Sequence, residues 1–326
     1  PYHHRPSGFL PCDFETEECA DGSVICWLSE HDPIDRMKGT VGVVLRPGVA
    51  YLETRMRLCN RTPVTRSFLW WENAAVPVNE HYQIFFPKYV TYVNFHYLDS
   101  RASYPVAGNC TFNGIDMRTP RDISWHKNTQ DATSYFACAS KYDFFGGYDH
   151  GFGCGVVHIG DHHISPGKKM FTWAYNQLAK TWENTLTDTD GQYAELMAGS
   201  YTDNQPNFAW LEPYETKEFS QYWYPISRIG TPDFANLQCA ISLREDTVWL
   251  QATEPLGEVL VEITADGAVL LSERVVLNPG APVKLDWQRP SALVSIRVTS
   301  GGRTAAEYTE ERPDHLKKPP VKDPMP

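Results

Sequence analysis

The residues able to do chemistry gather between Trp70 and Tyr224. Three clusters stand out: Leu69-Trp70-Trp71-Glu72-Asn73, then Asp143-Phe144-Phe145-Gly146-Gly147-Tyr148-Asp149-His150, then His158 through Lys169. His158, Asp161 and His162 raise the question of a metal. On a strand, His158 and His162 share a face while Asp161 and His163 point the other way, and Pro166-Gly167 then turns the chain. Zinc sites take three or four ligands. Two imidazoles on one face fall short, so no metal and no other cofactor is expected. These rings then serve either as hydrogen-bonding groups near a turn or in acid–base work, for which imidazole has the right pKa near neutrality.

Acid–base work needs a partner, and Glu195 is the candidate. It sits in the otherwise apolar run Tyr193-Ala194-Glu195-Leu196-Met197, where a carboxylate must be paired or have its pKa raised. Either state suits a general acid or base, and a solvent-facing carboxylate or a structural ion pair remains the alternative. Trp70 and Trp71, adjacent in a strand, place one ring on each face, so at least one belongs to the core. Trp173, Trp182, Trp210 and Trp223 are open in the same way. Asn73, Asp203, Asn204 and Gln205 are planar hydrogen-bonding groups. Rings with amides and carboxylates are the inventory of a sugar site, hydroxyls taking the polar groups and the C–H face taking the ring. An ordinary aromatic core has the same composition.

The elements that must position these residues are strands. Leu52-Glu53-Thr54-Arg55-Met56-Arg57-Leu58 alternates with period two, and Arg46-Pro47-Gly48 joins it to Val41–Leu45 as a hairpin. Phe85–Val93 reads as an aromatic strand in which Pro87 marks an edge or a bulge. Gly155–Ile159 and Tyr193–Met197 are further strands. The one helical candidate of any length runs from Tyr175 to Leu186, with Leu178, Trp182 and Leu186 at four-residue spacing. From about residue 235 short strands follow at regular spacing: Thr247–Ala252, Glu258–Ile263, Ala268–Leu271, Val283–Trp287 and Leu293–Val298, with Asp266-Gly267 between the second and third. That rhythm describes a small β-sandwich. Histidine is absent between Ile226 and Asp314, so this part is read as a structural or interaction module.

The 326 residues carry 29 basic and 40 acidic side chains, a formal charge of −11. A nucleic-acid surface needs clustered Lys and Arg, and a membrane helix needs about 20 apolar residues in a row. Neither is present, so no nucleic-acid or membrane partner is expected. Ten Trp, 17 Tyr and 15 Phe suit sugar stacking and interfaces alike. Eight cysteines without a C-x-x-C pair read as scattered, mostly buried thiols of a cytoplasmic protein. Asn60-Arg61-Thr62 and Asn109-Cys110-Thr111 fit the glycosylation triplet. The chain opens at Pro1 as if in mid-protein, and residues 312–326, rich in Pro and Lys, read as a linker. The expected organisation is residues 1–234 as the site-bearing unit, 235–311 as the small sandwich, and 312–326 as the linker.

The motifs in their order carry a resemblance. His3-His4-Arg5-Pro6, Leu69-Trp70-Trp71-Glu72-Asn73, Asp143 to His150, Asp161-His162-His163-Ile164-Ser165-Pro166-Gly167-Lys168-Lys169, Leu186-Thr187-Asp188 and Tyr201-Thr202-Asp203-Asn204-Gln205-Pro206 resemble a bacterial family of unknown function. Its members carry a galactose-mutarotase-like β-supersandwich, usually followed by tetratricopeptide repeats. The resemblance covers roughly residues 1–235. It implies an all-β fold, with the first strands of the supersandwich upstream of Pro1 and helical repeats, a route to a protein partner, beyond Pro326. It also implies a carbohydrate ligand. In the superfamily's epimerases a His protonates the ring oxygen while a Glu takes the anomeric proton. Glu195 is the position to match that Glu, whereas His96, His150 and His163 all remain open for the His. An enzyme of this kind would use Glu195 with His163 or His150. The sugar would be held by Trp70, Trp71, Glu72, Asn73, His96, Tyr148, Asp149, Lys168, Trp173, Asp203, Gln205 and Trp210. The rival expectation is a non-catalytic sugar-recognition or scaffold domain, and a metal-assisted lyase or hydrolase stands third. Fold alone decides none of these.

Overall fold

A computed structural model describes residues 11–95, 101–108, 111–112, 115–116, 118–204 and 207–314. Period-two alternation dominates the sequence, and two large antiparallel sheets result. The first has eight strands, in the spatial order Asp13–Glu18, Val24–His31, Met37–Leu45, Leu52–Asn60, Thr216–Ser227, Cys154–Ile159, Phe144–Asp149 and Tyr82–Phe85. The second has six, in the order Trp70–Pro77, Tyr193–Ser200, Gly167–Thr172, Thr133–Ala137, Tyr92–Asn94 and Arg101–Ser103. Their facing side chains form one core in which Ile84 and Phe145 of the first sheet meet Val76, Leu196, Met170 and Tyr135 of the second. Met56, Leu58, Phe219 and Leu211 extend it, with Trp70 packed against them.

Two four-stranded sheets follow. One is ordered Phe234–Ala235, Cys239–Leu243, Thr247–Ala252, Val283–Asp286; the other Ala268–Leu277, Gly257–Ala265, Ser295–Ser300, Arg303–Thr309. Val248, Leu250, Val261, Ile296 and Val298 fill the space between them. Phe144, Tyr148, Val157, Tyr224 and Ile226 of the eight-stranded sheet pack with Ala240 and Trp249. That end of the large sheet is therefore covered on both faces. The all-β architecture agrees with the expectation, and no described helix is long and apolar enough to cross a membrane.

The turns follow their chemistry. Gly48 (φ +78°) closes the expected hairpin between Met37–Leu45 and Leu52–Asn60. Asp266 and Gly267 take φ of +49° and +80°, the left-handed pair that a tight two-residue hairpin demands. Two expectations need correction. Phe85–Val93 is not one strand: it stops at Phe85, turns through Pro87, whose carbonyl accepts from Val90 N at 2.8 Å, and resumes as Tyr92–Asn94 in the other sheet. Proline has no N–H to give a ladder, so the chain crosses between sheets there. Nor are the cysteines mostly buried, for of the seven that are described only Cys138 and Cys239 are. The helix spans Gln177–Leu186 and begins where the Asn176 side chain accepts from Ala179 N. Only Ala179 is buried on it, while Leu178, Trp182 and Leu186 are exposed.

Candidate functional site

Alternation along each strand of the six-stranded sheet sorts its side chains between the core and the outer face. Trp70, Glu72, Ala74 and Val76 turn inward, so Trp71, Asn73 and Ala75 turn outward. In the neighbouring strand Ala194, Leu196 and Ala198 enter the core, leaving Tyr193, Glu195, Met197 and Gly199 outside. In the third strand Met170 enters the core and Lys168 and Thr172 go with it, leaving Lys169 and Phe171 outside. The register then brings these together. Asn73 lies opposite Met197, Met197 opposite Lys169, and Lys169 opposite Phe136. Glu195 lies opposite Phe171.

This outer face has a buried floor and a half-open rim. Lys169 is 3% exposed and lies under two rings, its Nζ 5.7 Å from the Trp71 ring centre and 4.9 Å from that of Phe136. Burial pushes the Lys169 amine down to about 8, and the nearby Glu195 carboxylate works against that fall. Gly199 and Gly167 make room for the Trp71 indole, since a Cβ on Gly199 would stand 2.6 Å from it. Asn73 Nδ2 donates to Glu195 Oε2 at 3.2 Å. Further along the same face Phe171 meets Trp173 edge-on at 5.0 Å, Trp173 Nε1 donates to the Tyr193 hydroxyl at 3.0 Å, and Trp173 stacks on Trp182 of the helix at 5.4 Å. A pocket lined by Trp173, Ala179, Trp182, Leu186, Gln192 and Tyr193 opens there. A carboxylate, an amide, a buried amine and a row of rings thus share one surface.

The inward-facing residues form a different environment. Glu72 is partly exposed as a residue, but its carboxylate turns inward, accepting from Thr54 Oγ1 and from Trp223 Nε1 at 2.9 Å, and burial raises its pKa. Lys168 is 0% exposed, and its Nζ has no hydrogen-bond partner among the described residues. Burial pushes it down to about 8, against the pull of Asp143 and Asp161. His158, also 0% exposed, sits 2.6 Å from Gln221 Oε1 through Nε2. Burial and the Lys168 charge push it down to about 3.

Of the residues singled out in the sequence, the fold brings Trp71, Asn73, Glu195 and Trp173 to one face. Trp70, Glu72 and Lys168 go to the interior. Tyr148 is buried beneath the small sandwich, and Asp149 caps a turn, accepting from Gly151 N and Phe152 N. His150 belongs to the other sheet's end, its Nε2 2.9 Å from Gln83 Oε1 and its ring 4.9 Å from Trp125. His163 is exposed in a turn, its ring 3.9 Å from that of His162. Neither histidine shares the face that carries Glu195. Asp203 and Arg101 both act electrostatically on Cys138 at the far edge of the six-stranded sheet. Trp210 is exposed in the short strand Ala209–Leu211, paired with Arg66–Phe68. His96 and Gln205 lie outside the described residues. Sequence reasoning passed over Lys169, Phe171 and Tyr193. Their signal was the parity of the strands, since Lys169 and Phe171 alternate with the core residue Met170.

The model of a family described as a domain of unknown function (DUF5107) matches residues 2–226. Among solved structures, the chain is similar to a TPR-domain containing protein from Parabacteroides distasonis, with 21% identity and a TM-score of 0.60 over 74% of this chain. It spans 39% of that protein's length. It is also similar to a putative aldose 1-epimerase from Klebsiella pneumoniae (11% identity, 66% of this chain, 54% of that one, TM-score 0.42) and to a galactose mutarotase-like protein from Clostridium acetobutylicum (11%, 66%, 66%, TM-score 0.43). The all-β sandwich architecture expected from the motifs is the one found. At these identities the likeness concerns the fold alone.

Proposed function

The chain belongs to the DUF5107 family of domains of unknown function, and we propose that it binds a carbohydrate on the outer face of its six-stranded sheet. One observation carries this reading: Trp71 and Asn73, Glu195, and Trp173 come from three separate stretches of sequence, yet all reach that face. Sugar rings present C–H faces that lie on indoles and hydroxyls that bond to amides and carboxylates. The face offers both, with Asn73 and Glu195 already joined and Trp173 beside a pocket.

Transformation of the sugar is a second reading, favoured by one observation. Lys169, with its amine lowered to about 8, can exchange a proton near neutrality beside Glu195. A Glu195–Lys169 pair then replaces the Glu–His pair expected from the resemblance, because His150 and His163 are placed elsewhere. The alternative of a scaffold beside helical repeats draws on the likeness to the TPR-domain containing protein, and it predicts no sugar binding. A thermal-shift screen against monosaccharides and oligosaccharides separates the three. A ligand at about 100 times its dissociation constant adds about 2.7 kcal/mol of stability. Binding is expected to weaken in Trp173→Ala. Glu195→Gln abolishes turnover in the catalytic case, and in the recognition case no turnover is seen in either protein. A chain that no sugar stabilises is a scaffold.

A further inference from the structure

The link between the two large sheets does something a strand cannot. The strand Cys154–Ile159 ends before Gly160, and the Asp161 carbonyl accepts from Ile164 N and Ser165 N at 3.0 and 2.6 Å. The Ile164 carbonyl accepts from Tyr201 N at 2.6 Å, tying this turn to the end of the strand Tyr193–Ser200. On a strand, Asp161 and His163 would point away from His162. In the turn the three converge, and one ligand atom from each lies within 4.8 Å of the others.

A second observation concerns the chemistry of His162. Asp143 Oδ1 accepts from the His162 backbone N–H at 2.9 Å and lies 2.7 Å from its Nδ1. A carboxylate there fixes Nδ1 as the protonated nitrogen and leaves the lone pair on Nε2, the arrangement found behind metal-bound histidines. We propose that this turn binds a divalent transition-metal ion of the zinc class, held by the Asp161 carboxylate and the imidazoles of His162 and His163. Two imidazoles and one carboxylate suit Zn²⁺, whereas Ca²⁺ and Mg²⁺ call for oxygen ligands throughout. Bonds of about 2.1 Å bring ligand atoms within about 4 Å of one another. Small rotations of Asp161 and His163, both exposed, close that gap. Three protein ligands leave a position for water or an incoming group. The expectation of no metal rested on His158 and His162 sharing a strand face. The strand ends too early for that, and the third ligand comes from His163. The site stands independently of the carbohydrate reading.

The test is zinc binding by the full chain after chelator treatment, measured by equilibrium dialysis with metal analysis, alongside the absorption spectrum with Co²⁺. One equivalent of zinc is expected, with a cobalt spectrum free of thiolate charge transfer. That spectrum matters because Cys12 and Cys154 are exposed. His162→Ala and His163→Ala should each lose the ion. Asp143→Asn, which touches no ion, should weaken binding about 10- to 100-fold. Melting curves of the variants establish that they remain folded. Absence of bound zinc in the parent chain overturns the proposal, as do a thiolate spectrum or unchanged affinity in both histidine variants.

Discussion

Replacing Lys168 with Met should make the protein more stable. The side chain is 0% exposed, and its Nζ finds no hydrogen-bond partner among the described residues. Burial lowers the amine from 10.5 to about 8. At 1.36 kcal/mol for each tenfold change in the proton equilibrium, that difference is a penalty of about 3 kcal/mol on the charged form. The sign follows from linkage. Between pH 8 and 10.5 the unfolded chain holds the Lys168 proton and the folded chain has released it, so wild-type stability rises with pH across that window. Below pH 8 the penalty is present in full. Methionine has a similar length and no charge, so Lys168→Met should gain up to about 3 kcal/mol at pH 7, with the advantage shrinking toward zero by pH 10.5. Urea denaturation of both proteins at the two pH values measures it, and taking the difference cancels the tyrosines that also titrate. A variant less stable than wild type at pH 7 would refute the reasoning, as would an advantage that does not change with pH. Either result would mean that the folded state neutralises the Lys168 charge.

Three other substitutions probe the buried polar groups and the sheet contacts. Glu72→Gln keeps an oxygen for Trp223 Nε1 while removing a charge that burial disfavours. Because the raised carboxyl favours the folded state at acid pH and loses that advantage as pH rises, the variant's denaturant midpoint should match wild type at pH 4 and exceed it at pH 7. Asn60 is 0% exposed, donates to the carbonyls of Val64, Leu211 and Glu212, and accepts from Thr62 N and Oγ1. Asn60→Ala should lose about 3 kcal/mol in chemical denaturation, and the same burial closes this triplet to glycosylation in the folded chain. Gly146→Ala places a Cβ 2.1 Å from the Val156 carbonyl oxygen and 2.7 Å from Phe85 Cζ. Backbone on one side leaves little room to yield, and a loss of about 3 kcal/mol in a melting experiment is expected; an unchanged melting point would contradict the packing.

Period two was the legible signal. It located Leu52–Asn60, Thr247–Ala252 and Ser295–Ser300 to within a few residues, because half-buried strands alternate and Asp266-Gly267 marks a hairpin. The same alternation separates Trp70 from Trp71. Applied to Lys168-Lys169 it would have pointed to Lys169, since Met170 is an apolar neighbour that has to enter the core. Pairing across the sheets was not legible. Leu52–Asn60 lies beside Thr216–Ser227, and nothing local in either strand announces a partner so far along the chain. That is why His150, at the end of the other sheet, and His163, in the turn between the sheets, stood as candidates beside Glu195. The Asp161–Ser165 turn was illegible for another reason. A strand period was extended past Ile159, and the true geometry depends on backbone hydrogen bonds within the turn and to Tyr201.

The two large sheets differ in what remains open to a ligand. Polar groups placed between them, such as His158 and Lys168, are sealed by the core. The outer face of the eight-stranded sheet meets the small sandwich, which buries Tyr148, Tyr224 and Ile226. The outer face of the six-stranded sheet has no such cover over Asn73, which is exposed, or over Glu195 and Phe171, which are half-buried. With one outer face packed against the small sandwich, the other is the face available to the proposed ligand. Under that proposal Lys169 bears on ligand binding and Lys168 on stability, although the two residues are adjacent in sequence. Substitution at Lys169 should alter ligand affinity more than it alters the melting point, and the reverse should hold at Lys168.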